Sequence, residues 1–223
     1  MATRGAEDVL RGSKVVDTLY GAVHDCDLVI ACTARPRSYD LPVLLPDQAA
    51  ELLYSTATDN NRCNNGNNQD DEPRQPPPPA SVALVFGPER AGLENDDIQL
   101  AHYRVSIPAN PENPSLNLAS AVQILSYELR KCHINRKVNS ENNNDRRCQE
   151  YGDIKQLPTI AQMEGFYETL ESLLKDTGVA HKDDPRQLMQ KMRHIFARAE
   201  PDKTELNLLR GAFATIQRTL DKK

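Results

Sequence analysis

From Asp27 to Thr33 the chain reads DLVIACT, an apolar run with neither the polar alternation of a half-exposed strand nor the length of a helix. A run of this kind is covered on both faces, which is the condition of a strand inside a parallel sheet. VALVF at 82–86 repeats the pattern, and YRVSI at 103–107 supplies a third strand. Helical signals separate these runs. Val15 and Val16 read as a short strand leading into Asp17, a good N-cap for a helix through Leu19 and Val23. Pro46 suits the first position of a helix through Leu53, and another helix begins near Asn95. Alternating strands and helices predict an α/β domain with a mainly parallel sheet.

A long helix follows the third strand. Its apolar residues Leu116, Ala119, Val122, Ile124, Leu125 and Leu129 lie on more than one face, so it is expected to be covered by the sheet and by a partner subunit. Two polar stretches interrupt the chain. Residues 58–80, rich in Asn, Asp and Pro, read as a disordered insertion, because they cannot bury enough apolar surface to offset their ordering entropy. Residues 135–156 read as a polar linker. The domain boundaries are therefore 1–134 for the α/β domain and 157–223 for a helical extension. In the extension Thr159 caps a helix that Gly178 ends, Pro185 opens a second, and Leu206, Leu209, Phe213 and Ile216 mark a third.

Composition excludes several classes. No apolar run approaches the roughly 20 residues of a membrane-spanning helix, so no membrane partner is expected. The net charge of −5 means that a nucleic acid would have to be met by a local basic patch. Cys26, Cys32, Cys63, Cys132 and Cys148 show no C-x-x-C spacing, which argues for reduced thiols and against zinc. Dinucleotide, P-loop, zincin and nucleophile-elbow patterns are all missing, and none of the five histidines sits in a catalytic pattern.

In parallel sheets ligands sit beyond the carboxyl ends of the strands. Three loops leave those ends here: Cys32 to Arg35, Gly87 to Leu93, and Pro108 to Asn117. On spacing alone, Glu89 and Arg90 could be a solvated charge pair, Ser115 a helix cap, and Arg35 and Arg37 ordinary surface charges.

FGPERAGL, followed by IPANPENPSLNLASAVQILSYE, resembles the second and third signature motifs of the SpoU/TrmH class of RNA ribose 2′-O-methyltransferases. The tail, with FYETLESLL, MQKMRHIFARA and ELNLLRGAFATI, resembles the helical extension of the TrmJ type. The resemblance implies a knotted, SPOUT-type α/β fold, a homodimer, and S-adenosylmethionine as methyl donor. The implied reaction is 2′-O-methylation of tRNA at the first anticodon-loop nucleotide, position 32. Carried onto this chain, the resemblance makes Cys32, Thr33, Ala34, Gly87, Ile107, Pro114, Ser115 and Leu116 the cofactor-binding set. It makes Glu89, Ser115 and Asn117 the catalytic set, and Arg35, Arg37 and Arg90 the contacts to RNA phosphates.

The family's first motif, which carries an Asn and the Arg usually held to activate the ribose hydroxyl, has no counterpart here. Arg4 to Leu10 resembles the segment just before the family's third strand, so an N-terminally truncated domain with an exposed apolar edge is expected. On that view the chain by itself transfers no methyl group to tRNA, and the alternatives are an inactive RNA- or cofactor-binding remnant or a related enzyme acting on ribosomal RNA. The expected compartment is the cytoplasm, or a mitochondrion or plastid if the source is eukaryotic.

Overall fold

The computed structural model of the chain describes residues 7–34, 41–58, 80–112, 115–141, 156–179 and 185–220. The two short apolar runs form strands that lie side by side: β1 (Leu28–Cys32) pairs in parallel with Val82–Phe86. A two-residue strand, β2 (Val43–Leu44), makes the latter β3, and Tyr103–Val105 is β4. The sheet order is β2-β4-β1-β3 and all three pairings are parallel.

Side chains of β1 alternate between two cores, which is why the run carries no polar residue. Leu28 and Ile30 meet Ala49 and Leu53 of α3 (Pro46–Thr58), Leu125 of α5 (Leu118–Glu141) and Val105. On the opposite face Val29 and Ala31 meet Val23 of α2 (Leu19–Val23) and Ile98 of α4 (Asn95–Gln99). Leu28, Val29, Ile30 and Ala31 are each 1% exposed or less. At about 1.5–3 kcal/mol for each large apolar side chain withdrawn from water, β1 anchors both layers.

Several expectations need correction. Val15 and Val16 form no strand; Val15 is 99% exposed, because two apolar residues with no neighbouring strand among the described residues cannot complete a ladder. The cap of α2 is Thr18, not Asp17: the helix begins at Leu19, and Thr18 Oγ1 accepts the Gly21 N–H at 3.1 Å. The third strand stops at Val105, short of Ile107. A one-turn helix, α1 (Glu7–Arg11), precedes these elements. Helix α5 runs on to Glu141, into the segment read as a linker, and the described residues cover one side of it: Leu125 is buried, whereas Val122, Tyr127 and Ile134 are exposed. The insertion read at 58–80 lies outside the described residues except for its ends, Thr58 in α3 and Ala80 before β3.

The tail folds as anticipated into three helices, α6 (Ile160–Asp176), α7 (Pro185–Ala199) and α8 (Lys203–Leu220). They share a core of their own, in which Phe166 meets Phe196 edge-on at 4.7 Å and stacks on Phe213 at 5.6 Å. Thr159 closes a capping box at the start of α6, and Gly178, at φ +74°, follows its end. This bundle is joined to the sheet domain. The Ala161 N–H donates to the His24 carbonyl at 3.0 Å, and Ile160 enters the core beside Val29. His102 lies between the two units: its Nδ1 accepts the Val29 N–H at 3.0 Å, which leaves Nε2 to donate to the Pro158 carbonyl at 2.9 Å. Burial is the larger influence on that ring and lowers its pKa from the ordinary 6.5, so the neutral form is favoured.

Candidate functional site

Parallel strands direct their carboxyl ends, and the loops that leave them, to one edge of the sheet. Cys32 ends β1, Phe86 ends β3, and Ile107 lies two residues past β4. The start of α5 returns to the same edge. Together these segments enclose a cleft of about 730 Å³ that is open to solvent.

Each wall has a local cause. Past β1 the ladder continues one residue, since the Thr33 N–H donates to the Val105 carbonyl at 3.1 Å; this holds Thr33 and Ala34 at the rim. After β3 the chain turns sharply. The Gly92 N–H donates to the Pro88 carbonyl at 2.8 Å, and Gly92 takes φ +68°, a left-handed conformation that suits glycine. The turn folds back on Gly87 so closely that a Cβ there would lie 2.2 Å from the Gly92 carbonyl carbon and 2.3 Å from the Leu93 nitrogen. Leu93, next in the chain, is buried in the core beside Ile98, and Glu94 with Asp97 completes a capping box on α4. The loop is therefore pinned at both ends.

The structure brings most of the expected residues together. Cys32, Thr33, Ala34, Gly87, Glu89 and Ile107 line this cleft, and so do Ser115 and Leu116. Arg90 is exposed beside Glu89 but is not part of the lining. Asn117 is not part of it either: its Oδ1 accepts the Ala119 N–H at 2.9 Å and its carbonyl accepts the Ala121 N–H, so Asn117 caps α5. Capping, weighed for Ser115 from the sequence, thus falls to its neighbour. Arg35, Arg37 and Pro114 lie outside the described residues. Pro88, Gly92 and Leu93, in the loop expected to face a ligand but not singled out, also line it, and Phe86, Leu118 and Ala121 complete the lining without having been anticipated. The sequence signal for Gly92 was its position in GPERAGL, a second glycine at the far end of a turn.

Among the described lining residues only Cys32 and Glu89 carry ionisable side chains. Burial pushes the Cys32 thiol up to about 11, so it lines the cleft as a neutral, weakly polar group. Arginine and lysine do not occur among the described lining residues. The cleft is a binding pocket closed largely by backbone and small side chains, with hydroxyls from Thr33 and Ser115 and one exposed carboxylate.

Comparisons with known proteins bear on what such a cleft holds. Residues 2–127 match the model of the SpoU rRNA Methylase family, and residues 161–223 match that of the tRNA methyltransferase TrmJ, C-terminal domain. The tRNA (cytidine/uridine-2′-O-)-methyltransferase TrmJ of Photorhabdus laumondii is 38% identical over 218 residues, which span 98% of this chain and 79% of that protein. The protein of the same name from Citrobacter koseri is 39% identical over 213 residues, or 96% and 76% of the two chains. Among solved structures, TrmJ from Z. mobilis ZM4 superposes with a TM-score of 0.67 at 28% identity, over 96% of this chain and 78% of that one.

Proposed function

The chain belongs to the SpoU rRNA methylase family, in its TrmJ-type branch, and on that premise we propose that it transfers a methyl group from S-adenosylmethionine to a ribose 2′-hydroxyl of tRNA. The target we assign is the first nucleotide of the anticodon loop, position 32. The observation that carries this reading is the convergence of three distant stretches, through Cys32, Thr33 and Ala34, through Gly87, Pro88 and Glu89, and through Ile107, Ser115 and Leu116, on one cleft at the carboxyl edge of a parallel sheet.

The residues fit the donor. The missing side chain of Gly87 lets the turn through Gly92 and Leu93 fold against the end of β3, which shapes that wall from backbone, while Ile107 and Leu116 offer apolar walls. When bound, S-adenosylmethionine supplies a methyl group already activated by its sulfonium charge. The chain has then to fix the ribose in line with the methyl and to receive or release the hydroxyl proton. Ser115, exposed at the mouth, is placed to hydrogen-bond the ribose or a flanking phosphate. Asn117 holds the start of α5, whose N-terminus favours an anion. Glu89 sits on the pinned turn beside Arg90, which we assign to tRNA phosphate; Arg35 and Arg37 are proposed for the same role. Tyr127 and Ile134, exposed seven residues apart on one side of α5, are the face proposed for a homodimer. The sheet domain is proposed to extend past the sequence-read limit of 134 to Glu141, the end of α5, with 157–223 as the helical extension, and the proposed compartment is the cytoplasm.

A second reading has one specific observation behind it. With Cys32 held as a thiol and Glu89 exposed, the described lining offers no strong activating group for the hydroxyl. That favours a cofactor- and RNA-binding chain that performs no transfer. Calorimetry with S-adenosylmethionine, paired with tritiated-methyl transfer to unmodified tRNA, separates the two. Saturable binding with transfer that disappears on 2′-deoxy substitution at position 32 supports the first; binding without transfer supports the second, and no binding of either ligand rejects both. Asn117 is tested by two variants. Asn117→Ala removes the cap, at about 1 kcal/mol, whereas Asn117→Asp retains an accepting oxygen. A rate that falls in both assigns Asn117 to the ribose site; an undiminished rate in Asn117→Asp leaves it a cap alone.

A further inference from the structure

Charge is unevenly distributed over the three-helix bundle. Helix α7, PRQLMQKMRHIFARA, carries Arg186, Lys191, Arg193 and Arg198 and no carboxylate, within a chain of net charge −5. Its neighbour α6 is acidic, with Glu164, Glu168, Glu171 and Asp176 against Lys175. Mutual neutralisation is clearest at Arg193. Arg193 makes a two-pronged pair with Glu164 at 2.5 and 2.6 Å and lies over the Tyr167 ring at 4.2 Å. Lys191 and Arg198 point elsewhere: both are exposed, and among the described residues neither meets a carboxylate.

The spacing aligns them. Gln187, Lys191 and Arg198 recur at four and seven residues, on the side of α7 opposite Met189, Met192 and Phe196, which enter the bundle core. At 1.5 Å rise per residue the two cations stand about 10 Å apart along the axis, far enough to meet separate phosphates. Exposed Gln187 and Gln190 add hydrogen-bond donors of the kind that contact phosphate and sugar oxygens. We propose that this outward face of α7 is a second RNA-binding surface, which grips the tRNA backbone away from the reacting ribose. The inference rests on the tRNA reading above, and charge complementarity to a polyanion is what selects RNA as the occupant.

Its place in the fold defines its effect. Phe196 and Ala197 lie beside Ala101, His102 and Tyr103, at the amino end of β4, while the cleft is at the carboxyl edge of the sheet. A contact so placed adds to tRNA affinity without touching the methyl transfer, so it governs KM and not kcat.

The test uses the full chain and its Lys191→Glu/Arg198→Glu variant, with Lys191→Gln/Arg198→Gln as a milder pair should charge reversal disturb folding. Binding of unmodified tRNA is measured by fluorescence anisotropy from low to moderate salt, beside calorimetry with S-adenosylmethionine. The expected result is tRNA binding weaker by about tenfold or more, a log–log salt slope reduced by about two, and unchanged S-adenosylmethionine affinity. Equal tRNA affinity and equal slope in wild type and variants overturn the proposal while leaving the tRNA reading intact. A wild-type chain that binds no tRNA overturns the reading itself. Loss of a dimer in light scattering with tRNA affinity unchanged would also overturn it, since the basic face would then pair with the acidic α6 of a second copy.

Discussion

Replacing Gly87 by alanine tests how the cleft is built. Its added Cβ would lie 2.2 Å from a backbone carbon of Gly92 and 2.3 Å from the backbone nitrogen of Leu93, and real Cβ contacts are essentially never closer than 3.0 Å. No flexible side chain is available to move aside. The turn through Gly92 must open, yet Leu93 is only 5% exposed in the core beneath it, so the shift disturbs packing as well as the loop. Overpacking of this kind costs about 1–3 kcal/mol, and a rigid backbone neighbour places Gly87→Ala near the upper end. For a chain of this size about 3 kcal/mol corresponds to a melting temperature lower by roughly 6–12 °C. Gly92→Ala is the matched control. Nothing lies within 4 Å of its added Cβ, so it bears only the strain of an L-residue at φ +68°, about 1–2 kcal/mol. Thermal unfolding by circular dichroism ranks the two, and calorimetry with S-adenosylmethionine follows Gly87→Ala, whose affinity should fall about tenfold or more. A wild-type melting temperature for Gly87→Ala refutes the packing argument, and a destabilised variant with full affinity refutes Gly87 as part of the cofactor cradle.

Two further outcomes follow from titrating groups. Because His102 resists protonation in the fold while the unfolded chain binds a proton below about 6.5, stability should fall as the pH drops below that value, by at most about 1.4 kcal/mol per pH unit. His102→Asn keeps an acceptor for the Val29 N–H and should flatten that slope in urea unfolding between pH 7 and pH 5; equal slopes in the two proteins would reject it. Cys32, with its thiol at about 11, should be alkylated by iodoacetamide very slowly at pH 8, where only about one molecule in a thousand is thiolate. Peptide mass spectrometry that finds Cys32 modified as fast as free cysteine would contradict this.

What the amino-acid sequence discloses is set by whether local patterning or tertiary contact makes the decision. β1 and β3 were legible because burial on both faces imposes an unbroken apolar run, and α6 because Thr159 and Gln162 close a capping box that needs only four residues. Val15–Val16 has the composition of a strand, but pairing is a property of neighbours, and among the described residues it has none. β2 fails in the opposite sense: two residues leave no pattern, and the strand exists because β4 lies beside Val43–Leu44. The site divides the same way. Cys32, Gly87, Ile107 and Ser115 could be grouped because strand ends converge in any parallel sheet, and the resemblance added their chemistry. Which of Ser115 and Asn117 caps α5 depends on where the helix begins, and the turn at Gly92 depends on how closely Leu93 draws the loop down. His102 carried no signal at all, since a lone histidine takes its meaning from Val29 and Pro158, 73 and 56 residues away in the chain. The residues hardest to read in advance are thus those that fasten one unit to another, and in this fold the joint between sheet domain and bundle fixes where the basic face of α7 stands relative to the cleft.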